Sequence, residues 1–335
     1  MLFEYLTKRK WILLSGKGGT GKTTMAAALG VKLVSMGKKV IVVSLDPAHS
    51  LGDSFNIEIG PNIKRISKVE GDLFALELDV KQFFANEKLK ISNTINLEAQ
   101  DLDNFGLSPE IVEELLDTTY MPLEYMEGIA FLRLFKFLQE SDFDHIIFDT
   151  APTGHTLKLL ELPEYLDSFL GKIIRMQLRL SSFFNMFKKF LGFGDERDTA
   201  KNVLKLLESL RSDIRDIREI ITDEKKTEFI IVTIPMEMSI LESLRLAGEL
   251  DAYKIPCRNM VVNMVRIYKG SCSFCRNLSN HHLRNLKDIV KYFYDKNIFL
   301  VPFFDKEIRG INSLLLVLQE LKVLNDKYIS ELLNS

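Results

Sequence analysis

The sequence predicts an α/β fold of the P-loop NTPase type, with a mostly parallel sheet covered by helices on both faces and an inserted helical subdomain. Three observations predict it. Short apolar, β-branched runs alternate with helical stretches, a glycine-rich turn follows the first run, and two long segments have helical periodicity without a strand. At 335 residues and 46% hydrophobic content, the chain can bury one large core.

Seven apolar runs have the length and composition of buried strands. They are Trp11 to Leu14, Val40 to Leu45, Leu73 to Leu78, His145 to Phe148, Phe229 to Ile234, Met260 to Val262, and Ile298 to Val301. Because helical stretches separate most of them, the connections are expected to be crossovers, which pair strands in parallel. The predicted sheet domain comprises residues 1–79, 144–162 and 226–335.

The remaining residues, 80–143 and 163–225, predict an inserted helical subdomain rich in Phe, Leu and Met. In the second segment, apolar residues recur at steps of three and four: Phe169, Ile173, Met176, Leu180, Phe183, Phe187 and Leu191. Lys172, Arg175 and Arg179 lie on another face of this basic amphipathic helix. Such an apolar stripe is usually core, but it is also suited to bind a helix of another protein.

Composition narrows the class of protein. The 44 Lys and Arg residues nearly balance 46 Asp and Glu residues, so no overall positive charge favours nucleic acid as a partner. No uncharged apolar run approaches the roughly 18 residues that span a bilayer. The three cysteines form no disulfide framework and favour a reducing cytoplasm.

The glycine-rich turn has the pattern of a phosphate-binding loop. It consists of Gly16, Lys17, Gly18, Gly19, Thr20, Gly21, Lys22 and Thr23, followed by Thr24. Glycines allow several backbone N–H groups to converge on one anion at the positive end of a helix. The turn follows a predicted strand and opens a predicted helix, which is the context that the motif requires. The sequence therefore predicts an ATP-binding site.

Individual residues of this loop have different expected roles. Lys22 is expected to contact the β- and γ-phosphates, and the Thr23 hydroxyl is expected to bind Mg²⁺. Lys17 is an additional cation that the common motif does not require. From spacing alone, it is equally compatible with a solvated loop lysine and with a functional residue.

Acidic residues follow two further predicted strands. Asp46 to Asp53 come after the second strand, and Asp149 to Thr156 come after the fourth. Since ligands of parallel α/β sheets bind at the carboxyl ends of the strands, both strings should border the phosphates. Asp149 has the position of an acid that orders Mg²⁺ and its waters. The alternative for such an aspartate is a helix cap or turn former.

These three strings resemble the family that contains the arsenical-pump ATPase and the targeting ATPase of tail-anchored membrane proteins, which have a deviant P-loop. The shared strings are the Lys-Gly-Gly-x-Gly-Lys-Thr loop, Asp-Pro-Ala-His-Ser and Asp-Thr-Ala-Pro-Thr-Gly-His-Thr-Leu, and the likeness covers nearly the whole chain. The chain is most similar to the single-domain targeting branch of archaea and eukaryotes. The resemblance implies hydrolysis of ATP to ADP and phosphate.

The resemblance also implies roles for the acidic strings. Asp53 matches the family's water-activating aspartate, and Asp46 begins the first switch region, which orders around the γ-phosphate. Asp149 matches the second switch region together with His155 and Thr156. Lys17 is implied to reach the nucleotide of a partner protomer and to supply positive charge there. The expected catalytic residues are therefore Asp53, Lys17 and Lys22.

Three more residues are implied to contact the nucleotide base. Asn263 matches an adenine-contacting asparagine, while Pro302 and Phe303 resemble a base-packing loop. One departure occurs after Ile234-Pro235, where the family usually has a glutamate. This chain has Met236 there and Glu237 one residue later, and neither is assigned to the site.

Cys272 and Cys275 are candidate zinc ligands. Structural zinc needs four ligands, which one such pair from each protomer of a two-fold dimer would supply. From spacing alone, an unliganded pair and a redox dithiol remain alternatives. The targeting branch resembles this layout, with a zinc ion shared across its dimer, and so favours zinc.

The resemblance as a whole implies a cytoplasmic homodimer that uses ATP, Mg²⁺ and Zn²⁺. Its expected clients are transmembrane helices of tail-anchored proteins, which it would deliver to a membrane, and a membrane receptor is a further expected partner. Two alternatives remain open: the ATPase subunit of an arsenite or anion efflux pump, and a regulatory or partitioning P-loop ATPase without client binding. Neither helical segment contains a cysteine, so a site for trivalent arsenic would lack its soft ligands.

Overall fold

The computed structural model describes residues 2–45, 50–78, 123–150, 212–325 and 327–330. The chain divides into two compact units. The first comprises Met1–Val80, Phe137–Thr156 and Glu219–Ser335, and the second comprises Lys81–Lys136 and Leu157–Arg218.

The described elements alternate between strands and helices. The strands are β1 (Trp11–Ser15), β2 (Val40–Ser44), β3 (Lys64–Arg65), β4 (Leu73–Glu77), β5 (His145–Asp149), β6 (Thr227–Thr233), β7 (Asn259–Val265), β8 (Asn297–Pro302) and β9 (Lys322–Leu324). The helices are α1 (Leu2–Leu6), α2 (Lys22–Ser35), α3 (Ser50–Phe55), α4 (Leu123–Gln139), α5 (Glu237–Ala252), α6 (Ser273–Tyr292) and α7 (Ile311–Gln319). Residues 212–222 and 327–330 are also helical.

The nine strands form one sheet in the order β3-β4-β2-β5-β1-β6-β7-β8-β9. Every pairing from β4 to β8 is parallel, whereas β3 and β9 pair antiparallel at the two edges. The predicted α/β class with a mostly parallel sheet is confirmed, and all seven predicted strands are present. The prediction missed β3 and β9, because these two short edge strands have mostly exposed residues and hence no apolar run.

Complete burial of the central strands shows that the sheet is covered on both faces. Every residue of β1, β2 and β5 is buried. Because successive side chains of a strand point to opposite faces, this burial requires packing on each side of the sheet. Helix α2 belongs to the same core cluster, and its consecutive Ala26, Ala27 and Ala28 are fully buried.

In the second unit, the described residues are helical. Phe131, Leu132 and Phe135 of α4 are buried, and the rings of Phe131 and Phe135 lie 5.6 Å apart. Lys136 pairs with Asp213 of the 212–222 helix. The amphipathic stripe from Phe169 to Leu191 lies outside the described residues. Within the described part of the chain, no helix is both long enough and apolar enough to cross a bilayer.

Candidate functional site

The phosphate-binding loop joins β1 to α2 at the centre of the sheet. Lys22 is the first residue of α2, and Gly21 precedes it in a left-handed conformation with a φ of 87°. Thr20 folds back on the loop, since its hydroxyl donates to the Lys17 carbonyl at 2.8 Å. Lys22 is only 5% exposed, and its ammonium donates to the same carbonyl at 3.3 Å. The loop therefore forms a turn that wraps around the head of Lys22 at the helix N-terminus.

Two glycines of this loop lie very close to atoms of β6 and β7. A Cβ atom on Gly16 would lie 2.0 Å from the Val232 carbonyl oxygen of β6. A Cβ atom on Gly21 would lie 2.3 Å from the Asn263 amide nitrogen. At Gly16 the obstacle is the backbone of β6, so only glycine fits, whereas at Gly21 it is the tip of a side chain that would have to move. This close cradle fits a phosphate that is bound by backbone N–H groups.

Asn263 supports the loop from the end of β7. Its amide nitrogen donates to the Thr20 carbonyl at 2.9 Å, and its amide oxygen accepts from the Met264 N–H at 2.9 Å. The sequence predicts only a contact between this residue and the nucleotide base. The contact with the loop could not be inferred from the sequence, because 243 positions separate its two partners.

Four oxygen-bearing side chains converge beside the first turn of α2. The Thr23 hydroxyl donates to Asp149 Oδ2 at 2.6 Å and lies 3.1 Å from the Ser50 hydroxyl. The Ser44 hydroxyl donates to the same carboxylate oxygen at 3.3 Å. Mg²⁺ prefers oxygen ligands, so the chemistry of this cluster fits the ion. The structure thus brings Thr23 and Asp149 together, and their binding of Mg²⁺ stays a prediction.

Not every predicted residue of the two switch strings can be located. Asp46 of the first string lies outside the described residues, as do His155 and Thr156 of the second. Thr150, next to Asp149, is buried, and its hydroxyl donates to the Leu14 carbonyl of β1 at 2.8 Å. This bond fixes the start of the second string beside the strand that leads into the phosphate loop.

A cavity of about 470 Å³ adjoins the first turn of α2. Its lining includes Thr24, Asn263, Pro302 and Phe303. Phe303 is 54% exposed, and the guanidinium of Arg266 lies 5.6 Å from the centre of its ring. The three predicted base-contacting residues therefore line one cavity, next to Thr24 of the phosphate loop. An exposed aromatic ring at its edge is suited to pack on a planar base.

Two charged pairs at the site were not foreseen from the sequence. Lys17 pairs with Glu242 of α5 at 3.4 Å. Asp53, on α3, pairs with Arg309 at 3.0 Å. Both predicted functional residues therefore have a partner of opposite charge in their own chain. Neither partner belongs to a recognisable motif, so no sequence signal could have identified them.

Met236 and Glu237, at the departure from the family pattern, are both exposed. Met236 directly precedes α5, and Glu237 is its first residue. An acidic residue in the first turn of a helix is a common favourable arrangement with the helix dipole. Both side chains are exposed, and within the described part of the chain neither forms a hydrogen bond or an ion pair with the phosphate loop.

The cysteine pair lies at the start of α6. Cys272 precedes the helix and is exposed, whereas Cys275 lies in the first turn and is partly exposed. Hydrogen bonds from the Cys275 backbone N–H and thiol lower the pKa of Cys272. Among the described residues, no group of three or more His, Cys, Asp or Glu side chains could hold a metal ion. Within the described part of the chain, this pair supplies two of the four ligands that a structural zinc ion requires.

Comparison with known proteins assigns the family. Residues 9–323 match the family described as anion-transporting ATPase. The chain is 36% identical over 326 residues to "ATPase GET3B" of Arabidopsis thaliana, covering 92% of this chain and 77% of the relative. It is 32% identical over 306 residues to "ATPase ASNA1 homolog 1" of Paramecium tetraurelia, covering 91% and 90%.

A longer relative shows a different coverage. The chain is 32% identical over 342 residues to "ATPase ARSA1" of Chlamydomonas reinhardtii, covering 93% of this chain but 43% of that protein. The family match spans the phosphate loop, both acidic strings and the cysteine pair, and the predicted resemblance is confirmed. The chain belongs to the anion-transporting ATPase family, and it is an ATPase.

Proposed function

We propose that this ATPase is a homodimeric targeting factor, which binds the transmembrane helix of tail-anchored proteins and delivers them to a membrane. The observation that carries the proposal is the exposed cysteine pair at the start of α6, in a chain with a single phosphate loop. Two such pairs supply the four ligands of a structural zinc ion and so provide a reason to dimerise. A cytoplasmic location and a membrane receptor belong to the same proposal.

The nucleotide chemistry follows from the loop and the oxygen cluster. The backbone N–H groups of residues 16–23 bind the phosphates, and Lys22 neutralises their charge. The Thr23 hydroxyl and the Asp149 carboxylate would hold Mg²⁺ and its waters, and the ion would neutralise charge on the phosphate oxygens. Asp53 accepts a proton from the attacking water.

Pro302 and Phe303 pack on the nucleotide base, and Asn263 contacts it. Asp46, His155 and Thr156 order around the γ-phosphate as parts of the switch strings.

Lys17 acts across the dimer in this proposal. It stabilises the charge on the partner's nucleotide as an arginine finger does. In the single chain its side chain is 38% exposed and pairs with Glu242. The Glu242 oxygen that it contacts is buried, so contacts with the phosphate have to offset the loss of this ion pair when the Lys17 ammonium leaves Glu242. Dimerisation would thereby activate hydrolysis.

Client binding is assigned to the helical subdomain of residues 80–143 and 163–225. A tail-anchored segment of about 20 apolar residues is poorly hydrated, and its burial contributes roughly 25 cal/mol per Å². Such tight binding requires a conformational change for release. ATP hydrolysis supplies the free energy for that change.

The test is capture and release of a tail-anchored protein by the purified chain. We expect a stable complex with an apolar transmembrane segment and transfer to liposomes after ATP addition. A matched client with two arginines in the middle of the segment should not be bound. The Asp53→Asn variant should bind ATP and client but lose turnover and release. Absence of a complex with the apolar client would refute the carrier function, and normal turnover would refute Asp53 as the base.

A second experiment tests the zinc-linked dimer. We expect half a zinc ion per chain and the mass of a dimer, with both lost in the Cys272→Ser and Cys275→Ser variants. Cys257→Ala is a suitable control, because this cysteine is buried and lies apart from the pair in the sequence. A metal-free dimer that survives both serine substitutions would argue against a structural zinc.

An anion-pump subunit is the second candidate, because the family description names anion transport. It predicts that arsenite stimulates the ATPase. Trivalent arsenic needs thiolate ligands, whereas Cys257 is buried and the exposed pair offers only two thiols per chain. Arsenite stimulation that survives loss of Cys272 and Cys275 would favour the pump over the targeting factor.

A further inference from the structure

Arg309 joins two parts of the nucleotide site that are far apart in the sequence. Its Nη2 atom donates to the Asp53 carboxylate at 3.0 Å, and its Nε atom donates to the Asp53 backbone oxygen at 3.3 Å. The next residue, Gly310, donates its N–H to the Ser54 carbonyl at 2.9 Å. Three hydrogen bonds therefore tie the loop after β8 to helix α3.

The two tied segments line the same cavity, to which α3 contributes Asp53 and Ser54, and α3 also reaches the oxygen cluster. The loop after β8 runs from Phe303 to Arg309 and lines the 470 Å³ cavity proposed for the base. Helix α3 begins with Ser50, whose hydroxyl lies 3.1 Å from that of Thr23 in the oxygen cluster. Asp53 follows Ser50 by three residues and therefore lies on the same face of the helix. Arg309 thus connects the wall of the base cavity with the helix that borders the magnesium ligands.

We propose that Arg309 is a positioning residue, which orients the Asp53 carboxylate and couples its position to the loop that packs on the base. The proposal rests on the proposed function, in which Asp53 accepts a proton from water. Among the described residues, Arg309 is the side chain that hydrogen-bonds this carboxylate. It occupies Oδ1 and leaves Oδ2 for a water molecule. A base held in one orientation reacts faster than one that samples several rotamers.

The exposure of the Asp53 and Arg309 side chains distinguishes a positioning role from a contribution to folding stability. The Asp53 side chain is 75% exposed and that of Arg309 is 44% exposed, and pairs so accessible to water contribute little to stability. The chain contains a closely matched pair elsewhere. Arg65 Nη2 donates to Asp72 Oδ1 at 3.0 Å and to the Gly71 carbonyl at 3.3 Å, with side chains 59% and 54% exposed. Arg65 belongs to edge strand β3, and so its substitution is a control with the same chemistry away from the site.

The test compares Arg309→Gln with Arg65→Gln in the full-length protein. Single-turnover hydrolysis of saturating Mg·ATP measures the chemical step, and steady-state kinetics give KM. We expect Arg309→Gln to lower the single-turnover rate roughly tenfold and to leave KM within about twofold, because orientation and not binding is lost. Arg309→Lys should restore part of the rate, since it keeps the charge but not the two-pronged contact. Arg65→Gln should change neither quantity.

A double-mutant cycle decides whether Arg309 acts through Asp53. In the Asp53→Asn background, Arg309→Gln should cause no further loss of rate. The proposal would be overturned by an additional loss of rate in that background, or by an unchanged or increased rate in Arg309→Gln, with or without a raised KM. It would equally be overturned if Arg65→Gln lowered the rate as much as Arg309→Gln. Full turnover by the Asp53→Asn variant would show that Asp53 is not the base, and Arg309 would then have no base to position. Failure to bind a client with these kinetics intact would remove only the carrier function.

Discussion

Substitution of Gly21 by alanine should destabilise the phosphate loop in two ways, by backbone strain and by a clash with Asn263. Both Gly19 and Gly21 have left-handed backbone conformations, with φ of 79° and 87°. An alanine at either position costs about 1–2 kcal/mol of backbone strain. At Gly19 the new Cβ meets nothing within 4 Å, whereas at Gly21 it would lie 2.3 Å from the Asn263 amide nitrogen. Gly19→Ala is therefore a matched control with the same strain and no clash.

The excess cost at Gly21 can be worked out from one hydrogen bond. Asn263 can rotate away from the new methyl group, but it then loses its 2.9 Å bond to the Thr20 carbonyl. A bond of this kind is worth about 1 kcal/mol, so Gly21→Ala should cost about 1 kcal/mol more than Gly19→Ala. If the excess falls on ligand binding, it weakens Mg·ADP affinity roughly fivefold.

The measurement combines two free energies, because loop strain can appear in folding or in binding. Urea unfolding gives the first, and calorimetric titration with Mg·ADP gives the second. In an Asn263→Ala background the bond is already absent and the methyl group has room, so Gly21→Ala should then cost as much as Gly19→Ala. Equal summed costs in the original background, or an excess that persists without Asn263, would refute this account of the loop.

Three further predictions follow from contacts in the first unit. Thr23→Ala removes the hydroxyl that lies 2.6 Å from Asp149, so ADP affinity should become nearly independent of Mg²⁺. Titrations with and without the ion measure this dependence, and an unchanged dependence would count against the magnesium site. Glu228→Leu leaves the Asn259 N–H and amide without their acceptor at 2.9 and 2.7 Å, and should cost about 2–6 kcal/mol in urea unfolding. Glu228→Gln keeps an acceptor and should cost much less. Because burial raises the pKa of Glu228 above its usual value of 4.5, the folded chain binds this proton at a higher pH than the unfolded chain does. Wild type should therefore gain stability relative to Glu228→Gln as the pH falls towards 4.5. Burial lowers the pKa of His145 below 6.5, so below that pH the unfolded chain binds a proton that the folded chain does not. The free energy of unfolding should therefore fall as the pH falls below 6.5, and His145→Asn should reduce this dependence on pH.

The arrangement of the sheet could be predicted in part. Strands such as β1 and β5 were identified because they are buried on both faces, which produces continuous apolar runs. Their order could not be predicted, since β1 lies between β5 and β6, and local residues do not specify which distant strand will be a neighbour. The edge strands β3 and β9 escaped detection because an exposed strand of two or three residues needs no apolar pattern.

The candidate site divides in the same way. The phosphate loop was predicted from sequence alone, because its requirements are local: glycine conformations, a preceding strand and a following helix start. The partners of its functional residues were not. Asn263 and Thr20 are 243 positions apart, and Arg309 and Asp53 are 256 positions apart. Neither pair follows from helical or strand spacing.

By itself, the sequence determined the α/β class, the phosphate-binding chemistry and the family. These depend on interactions between residues close along the chain, where periodicity and backbone freedom leave few alternatives. Only the tertiary structure decided that Asn263 supports the loop, that Glu242 pairs with Lys17 and that Arg309 holds Asp53. Such contacts form after the strands have ordered into a sheet, since only then do the loops at their carboxyl ends come within hydrogen-bonding distance.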